Sequence, residues 1–156
     1  MKCLVEFYLL TGVRLNEALI LKRSDIDFKR KMIKIPSSYT KSKRHRIISF
    51  KNDRKLSHLL KNLPVREDNI LFAKPEGDTW NYQWVSSKIS QKLSENKFPW
   101  ASCHTFRHTY ISHLVMSGVP ITTVKEIVGH SSISTTMKYA HLAPSHTQEM
   151  ISKRPY

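Results

Sequence analysis

Four glycines and seven prolines stand among 156 residues, and their positions decide where helix can be continuous. Several stretches carry apolar residues at helical spacing, and each runs into a breaker. Leu4, Val5, Tyr8 and Leu9 predict a helix over 2–11, with Gly12 as its terminator. That helix begins almost at the first residue, as expected of a cut through a larger protein. RLNEALIL restarts as helix, with Leu15, Ala18 and Leu19 on one side, until Ser24 and Asp25 break it. Asn52 is expected to cap a helix whose Leu56, Leu59, Leu60 and Leu63 follow the i, i+3, i+4, i+7 pattern and which Pro64 stops. Residues 70–79 read as loop around Pro75 and Gly77, and residues 81–95 as a helix burying Trp84, Val85, Ile89 and Leu93. After Pro99, residues 104–117 suit a helix stopped at Gly118. Pro120 opens the next, which ends at Gly129, and a short helix over 135–141 closes at Pro144.

Two stretches break the helical rhythm. MIKIP and RIISF read as short strands, and between them lies the polar, strongly basic turn SSYTKSKRHR. The expected architecture is one mostly helical domain with a small antiparallel sheet bearing a cationic tip, an α+β class, over residues 1–156. There is no internal repeat and no low-complexity segment.

Charge narrows the partner. Lys and Arg number 26 against 12 Asp and Glu, a formal net charge of +14, with a pI near 10.0. A polyanion is expected, nucleic acid first and an anionic membrane surface second. The membrane reading is weak, because no apolar run reaches spanning length and no basic amphipathic helix has an aromatic lipid face. No signal peptide is visible. The two cysteines, Cys3 and Cys103, form no disulfide framework and suit a reducing cytoplasm.

Histidines then concentrate in HTFRH at 104–108 and in GHSSISTTMKYAH at 129–141. On a helix His104 and Arg107 project about 60° apart, beside an apolar stripe of Phe106, Tyr110 and Leu114. The bland reading is a solvated basic face with one partly buried histidine. A zinc reading has Cys103, His104, His108 and His113 as ligand types, but they crowd one segment, without a paired-cysteine motif or HExxH. A helix-turn-helix centred on Gly129 would send Ser132, Ser134, Thr135, Thr136 and Lys138 to DNA. It leaves HTFRH and the Arg14–Glu17 spacing unexplained. Tyr139 alone is an ordinary structural tyrosine.

Taken together the polar residues supply a complete chemistry. Two arginines can clamp the nonbridging oxygens of a phosphodiester as charge grows on them. A tyrosine hydroxyl is a nucleophile once something accepts its proton, and a lysine or histidine can protonate the leaving sugar oxygen. Arg14, Lys41, His104, Arg107, His130 and Tyr139 are those parts.

TGVRLNEALILKRSDID, TKSKRHRIISF, HTFRH and VGHSSISTTMKYAH resemble, in order and spacing over residues 4–142, the successive boxes of the tyrosine recombinases, the phage integrase family. The resemblance implies that Arg14 and Arg107 bind the scissile phosphate and that Glu17 braces the site by pairing with a neighbouring basic residue. Lys41 would protonate the leaving 5′ oxygen, with Lys43 the competing choice. His104 would accept the proton of Tyr139, the nucleophile, and His130 would donate to the phosphate. His108 and His141 would be packing or surface residues. Lys43, Arg44, Arg46 and Lys138 would contact DNA. The reaction implied is site-specific strand exchange through a 3′-phosphotyrosyl bond, which conserves bond energy and requires neither ATP nor metal. Double-stranded DNA would be the partner, a homo-tetramer the working assembly, and residues 143–156 the segment exchanged between protomers. A bacterial, phage or mobile-element origin would follow, as would an N-terminal DNA-clamping domain beyond this sequence. A type IB topoisomerase and a non-catalytic DNA-binding regulator are the rival functions.

Overall fold

A computed structural model describes residues 1–39, 45–74 and 77–144. Helix α1 (Lys2–Thr11) is followed by α2 (Leu15–Ile20), strands β1 (Ile26–Asp27), β2 (Met32–Ile35) and β3 (Arg46–Ser49), and then α3 (Arg54–Asn62). Helices α4 (Tyr82–Glu95), α5 (Cys103–Met116), α6 (Ile121–Val128) and α7 (Ile133–Met137) complete the set, with a 3-10 turn at Ala140–Leu142. The expected α+β architecture is the observed one.

The sheet is antiparallel in the order β1-β2-β3. Its alternation is strict on β2 and β3: Ile33, Ile35, Arg46 and Ile48 face inward, and the residues between them face out. Pairing sets Ile33 against Ile48 and Ile35 against Arg46, so the period of two that buries the isoleucines also buries an arginine. Strand β1 is only two residues long and exists because Ile26 pairs with Ile33.

Two apolar clusters divide the molecule. The larger gathers α1, α2, the sheet, α3 and α4 around residues such as Phe7, Leu15, Ile33, Leu60 and Val85. The smaller is Ile111, Val115, Val124 and Val128, with Tyr110, Leu114 and Tyr139 packed against it. Helix α5 joins them. Its buried stripe is Cys103, Arg107, Ile111 and Val115, spaced by four throughout. Cys103 sits in the first cluster and Ile111 and Val115 in the second, so Arg107 is held at the seam.

The local chemistry corrects several expectations. Asp53, not Asn52, caps α3, its carboxylate accepting from the Leu56 N–H at 2.8 Å. Helix α4 buries Val85 and Ile89, but Trp84 is exposed and stacks on Trp80 with ring centroids 5.0 Å apart. Residues 135–141 are not one helix; α7 and the 3-10 turn meet at Tyr139. The stripe next to His104 is only half-buried at Phe106, Tyr110 and Leu114, while Arg107 takes the core-facing position. Gly12 ends α1 at φ 60°, and a Cβ there would lie 2.2 Å from the Tyr110 ring. Both the left-handed turn and the close approach demand glycine.

Candidate active site at the seam

Helix C-termini leave carbonyls without intrahelical partners. Two such ends meet at the seam, and arginines fill them. Arg107 Nη1 donates to the Gly12 carbonyl beyond α1, and Nη2 donates to the Val128 carbonyl at the end of α6 at 2.6 Å. Arg14 Nη2 donates to the next carbonyl, Gly129, at 2.9 Å. Two guanidiniums are thereby fixed side by side by backbone atoms, on the negative ends of two helices.

Glu17 fastens them from behind. It is 1% exposed, takes the Arg14 N–H at 2.9 Å, and pairs with Arg14 Nη1 at 3.2 Å. Both its oxygens also accept from the Arg46 fork, Oε1 at 3.0 Å and Oε2 more closely still. Burial alone would raise the Glu17 carboxyl; the hydrogen bonds and charge of Arg46 and Arg14 hold it below the usual range. Arg46, expected at the DNA surface, is therefore an internal counter-ion. It is 9% exposed because strand register turns it into the core. Its Nε has no partner among the described residues, and a Cβ on Gly129 would approach its Nη1 to 3.1 Å.

Charge at the seam does not balance. Among the described residues three guanidiniums surround one carboxylate. Burial and the fields of Arg14 and Arg46 push Arg107 down to about 10, which leaves it cationic at neutral pH. The surplus is positive, partly desolvated and fixed, which is the condition for holding an anion.

His130 borders the same surplus. Its Nδ1 lies 2.9 Å from Thr136 Oγ1; with that hydroxyl donating, Nε2 carries the hydrogen and can donate to an anion. Burial, then Arg107 and Arg14, press His130 down to about 4. The consequence for stability has a definite sign. Above the ordinary 6.5 the ring is neutral in both folded and unfolded chains. Below it the unfolded chain takes up a proton that the folded chain refuses until about 4, so folding weakens as pH falls through that window. His130→Gln is expected to flatten this part of the profile, as read from urea midpoints between pH 7 and 4.5.

Tyr139 stands at the end of α7, packed against the second cluster. Burial raises its phenol, and the nearby Arg107 charge opposes that only in part. Its hydroxyl meets His108 Nδ1, with ring centroids 5.9 Å apart. His108 is exposed, as expected of a surface residue, yet it touches the candidate nucleophile. His104 lies one turn earlier on α5, exposed, and its side chain makes no hydrogen bond to a described residue. The signal for His108 was the four-residue spacing from His104, which puts both on one helical face.

The structure brings Arg14, Glu17, Arg107, His130 and Tyr139 together. Lys41, Lys43 and Arg44 lie outside the described residues, as does most of the 143–156 segment. Lys138 is exposed beside Tyr139. Cys103 points into the core, 3.4 Å from Ser86 Oγ, and no metal-competent cluster of His, Cys, Asp and Glu exists among the described residues. Thr136 is fully buried against His130, contrary to its part in the helix-turn-helix reading. An open cavity of about 600 Å³ adjoins the cluster between β3 and α6, lined in part by His45, Lys125, Glu126 and His130. No described helix is long and apolar enough to cross a membrane.

Comparison with known proteins gives the family and the fold. The phage integrase family model matches residues 1–146. The integrase of Haemophilus phage HP1 is 33% identical over 153 residues, which cover 97% of this chain and 40% of that protein. Tyrosine recombinase XerC of Thermodesulfovibrio yellowstonii is 28% identical over 169 residues, covering 97% and 53%. The chain thus spans about half the length of the relatives it matches. Among solved structures, the catalytic domain of bacteriophage HP1 integrase superposes with a TM-score of 0.73 at 30% identity, covering 98% of this chain and 81% of that one. The XerH site-specific recombinase bound to its difH substrate gives 0.73 at 23% identity, covering 97% and 46%. Fold, seam and sequence converge: the chain belongs to the phage integrase family, the tyrosine recombinases, and has their catalytic-domain fold.

Proposed function

We propose that this chain cleaves and rejoins double-stranded DNA as the catalytic domain of a site-specific recombinase, with Tyr139 as nucleophile. The observation that carries the reading is the guanidinium pair, Arg14 and Arg107, only partly compensated by Glu17 and fixed by carbonyls close to a tyrosine hydroxyl. A scissile phosphate supplies the charge that the pair lacks. Tyr139 attacks phosphorus and forms a 3′-phosphotyrosyl bond. The 5′ oxygen leaves with a proton, for which Lys41 is the donor and Lys43 its rival. His130 adds a hydrogen bond to the phosphate, and Glu17 keeps Arg14 in place. A 5′-hydroxyl from a second strand reverses the step.

The excess of basic side chains supports phosphate-backbone affinity, with Lys43, Arg44 and Lys138 as contacts. The XerH structure holds its difH substrate and the Tn1549 transposon integrase is in complex with transposon right end DNA, which supports DNA as the partner here. A tetramer on two DNA sites, with exchange of the segment after residue 142, is the assembly this reading requires. Residues 1–156 are its catalytic unit.

The test is a nicked duplex whose cleavage releases a short oligonucleotide and traps the protein, run over a panel of candidate attachment sequences. A covalent adduct resistant to denaturation is expected. Peptide mass spectrometry should place it on Tyr139, and a chelator should leave its yield unchanged. An adduct on another residue, or none on any member of the panel, would overturn the reading.

A further inference from the structure

The nucleophile's proton has to go somewhere, and the sequence points to His104. The geometry points elsewhere. His108 Nδ1 is the atom against the Tyr139 hydroxyl, and the two rings lie at 31° with centroids 5.9 Å apart. His104 is a turn away on the same face of α5 and makes no such contact. Resting on the reading above, we infer that His108 is a catalytic residue: its Nδ1 takes the phenolic proton of Tyr139 as the phosphate is attacked.

The surroundings say when this happens. His108 is faced by His104 and Arg107 from α5, by His130 from the turn after α6, and by Lys138 and Tyr139 from the end of α7. None of these is anionic. Burial first, then His104 and Arg107, lower the ring's affinity for a proton, so it rests neutral with a lone pair free to accept. The same field opposes a second positive charge. A phosphate seated on Arg14 and Arg107 removes that opposition, because its negative charge enters the cluster that disfavours imidazolium. Proton transfer from Tyr139 is thereby coupled to the presence of DNA, and the free chain keeps its tyrosine protonated.

The step balances. The Tyr139 oxygen–phosphorus bond forms and its proton passes to His108 Nδ1. The phosphorus–5′-oxygen bond breaks and that oxygen takes a proton from the general acid. On rejoining, His108 returns its proton to the departing phenolate, as microscopic reversibility requires.

Two measurements on the 156-residue chain decide the matter. First, single-turnover adduct formation is followed on an ordinary nicked duplex and on one with sulfur at the 5′ bridging position. Sulfur leaves without needing a proton, so it repairs loss of an acid but not loss of a base. His108→Gln is expected to slow both substrates by roughly 10²-fold, as removal of a general base does. A rate within about threefold of the unsubstituted chain would overturn the inference, as would rescue of His108→Gln by sulfur, which would put His108 at the leaving oxygen. Second, nitrogen chemical shifts of the His108 ring at pH 8, without DNA, should show Nδ1 bare and Nε2 protonated. Hydrogen on Nδ1 would overturn it equally. If Tyr139→Phe still forms adduct, or the unsubstituted chain forms none, the recombinase reading fails instead, and the nitrogen shifts alone then decide the His108 contact.

Discussion

Glu17→Ala is expected to lower the folding free energy by about 3–5 kcal/mol, the usual cost of stripping a buried ion pair of one partner. That is a large share of what a domain of this size has. Glu17 is 1% exposed and is, among the described residues, the anion that pairs with Arg14 and Arg46 and faces Arg107. Without it Arg46 stays in the core with no acceptor for either end of its fork, beside two other cations. Replacing both Glu17 and Arg46 by methionine removes the stranded charge and should recover most of the stability, since a buried pair is worth little against apolar groups of similar volume. It should not recover cleavage, because Arg14 then lacks the carboxylate that fixes its Nη1 and backbone N–H. Urea titration gives the first quantity and adduct yield the second. A Glu17→Ala chain within about 1 kcal/mol of the parent would show that the ion pair does not support the seam. The wild-type pair also sets an acid limit. Its carboxyl sits below the ordinary 4.5, so its stabilising effect is complete above that value and is lost as pH falls beneath it.

Local rules reach some of these parts and not others. Gly12, Gly129 and Pro120 mark helix ends because backbone conformation is a property of a few adjacent residues, and the three leucines of α3, with Leu63 at its C-cap, are buried as their spacing requires. Trp84 falls one position outside the buried stripe of α4, where Trp80 gives it a stacking partner that periodicity does not contain. Strand β1 is two residues held by pairing with β2 and by burial of Ile26, neither of which two residues of sequence announce. Arg46 is the instructive error. It belongs to a basic run, and charge counting sends it to solvent. The alternation of RIIS, set against Ile33 and Ile35, puts it on the face of Ile48. The resemblance to the family's boxes singles out Arg14, Arg107, His130 and Tyr139 as candidates, yet what holds them is tertiary. Arg14 reaches across 115 residues to Gly129, and His108 across 31 to Tyr139. No local spacing encodes either contact.

Arg107→Ala should abolish cleavage in practice, by 10³-fold or more, since one preorganised donor to a developing oxyanion is worth about 10²–10³-fold and Arg107 supplies a full charge besides. The sharper variant is Arg107→Lys. A lysine keeps the formal charge but has no fork to span the Gly12 and Val128 carbonyls. It also meets the environment that already pushes the far more basic guanidinium down to about 10 through burial and the fields of Arg14 and Arg46. An ammonium, ordinarily near 10.4, would be driven toward neutrality by the same causes. Arg107→Lys should therefore be nearly as impaired as alanine, and its residual single-turnover rate should fall as pH rises from 7 to 9, where the arginine chain gains or holds. Conversely, a lysine chain that retained more than about a tenth of the parent rate, with the parent's pH profile, would mean that position 107 contributes charge alone. The carbonyl-fixed fork would then be incidental to catalysis.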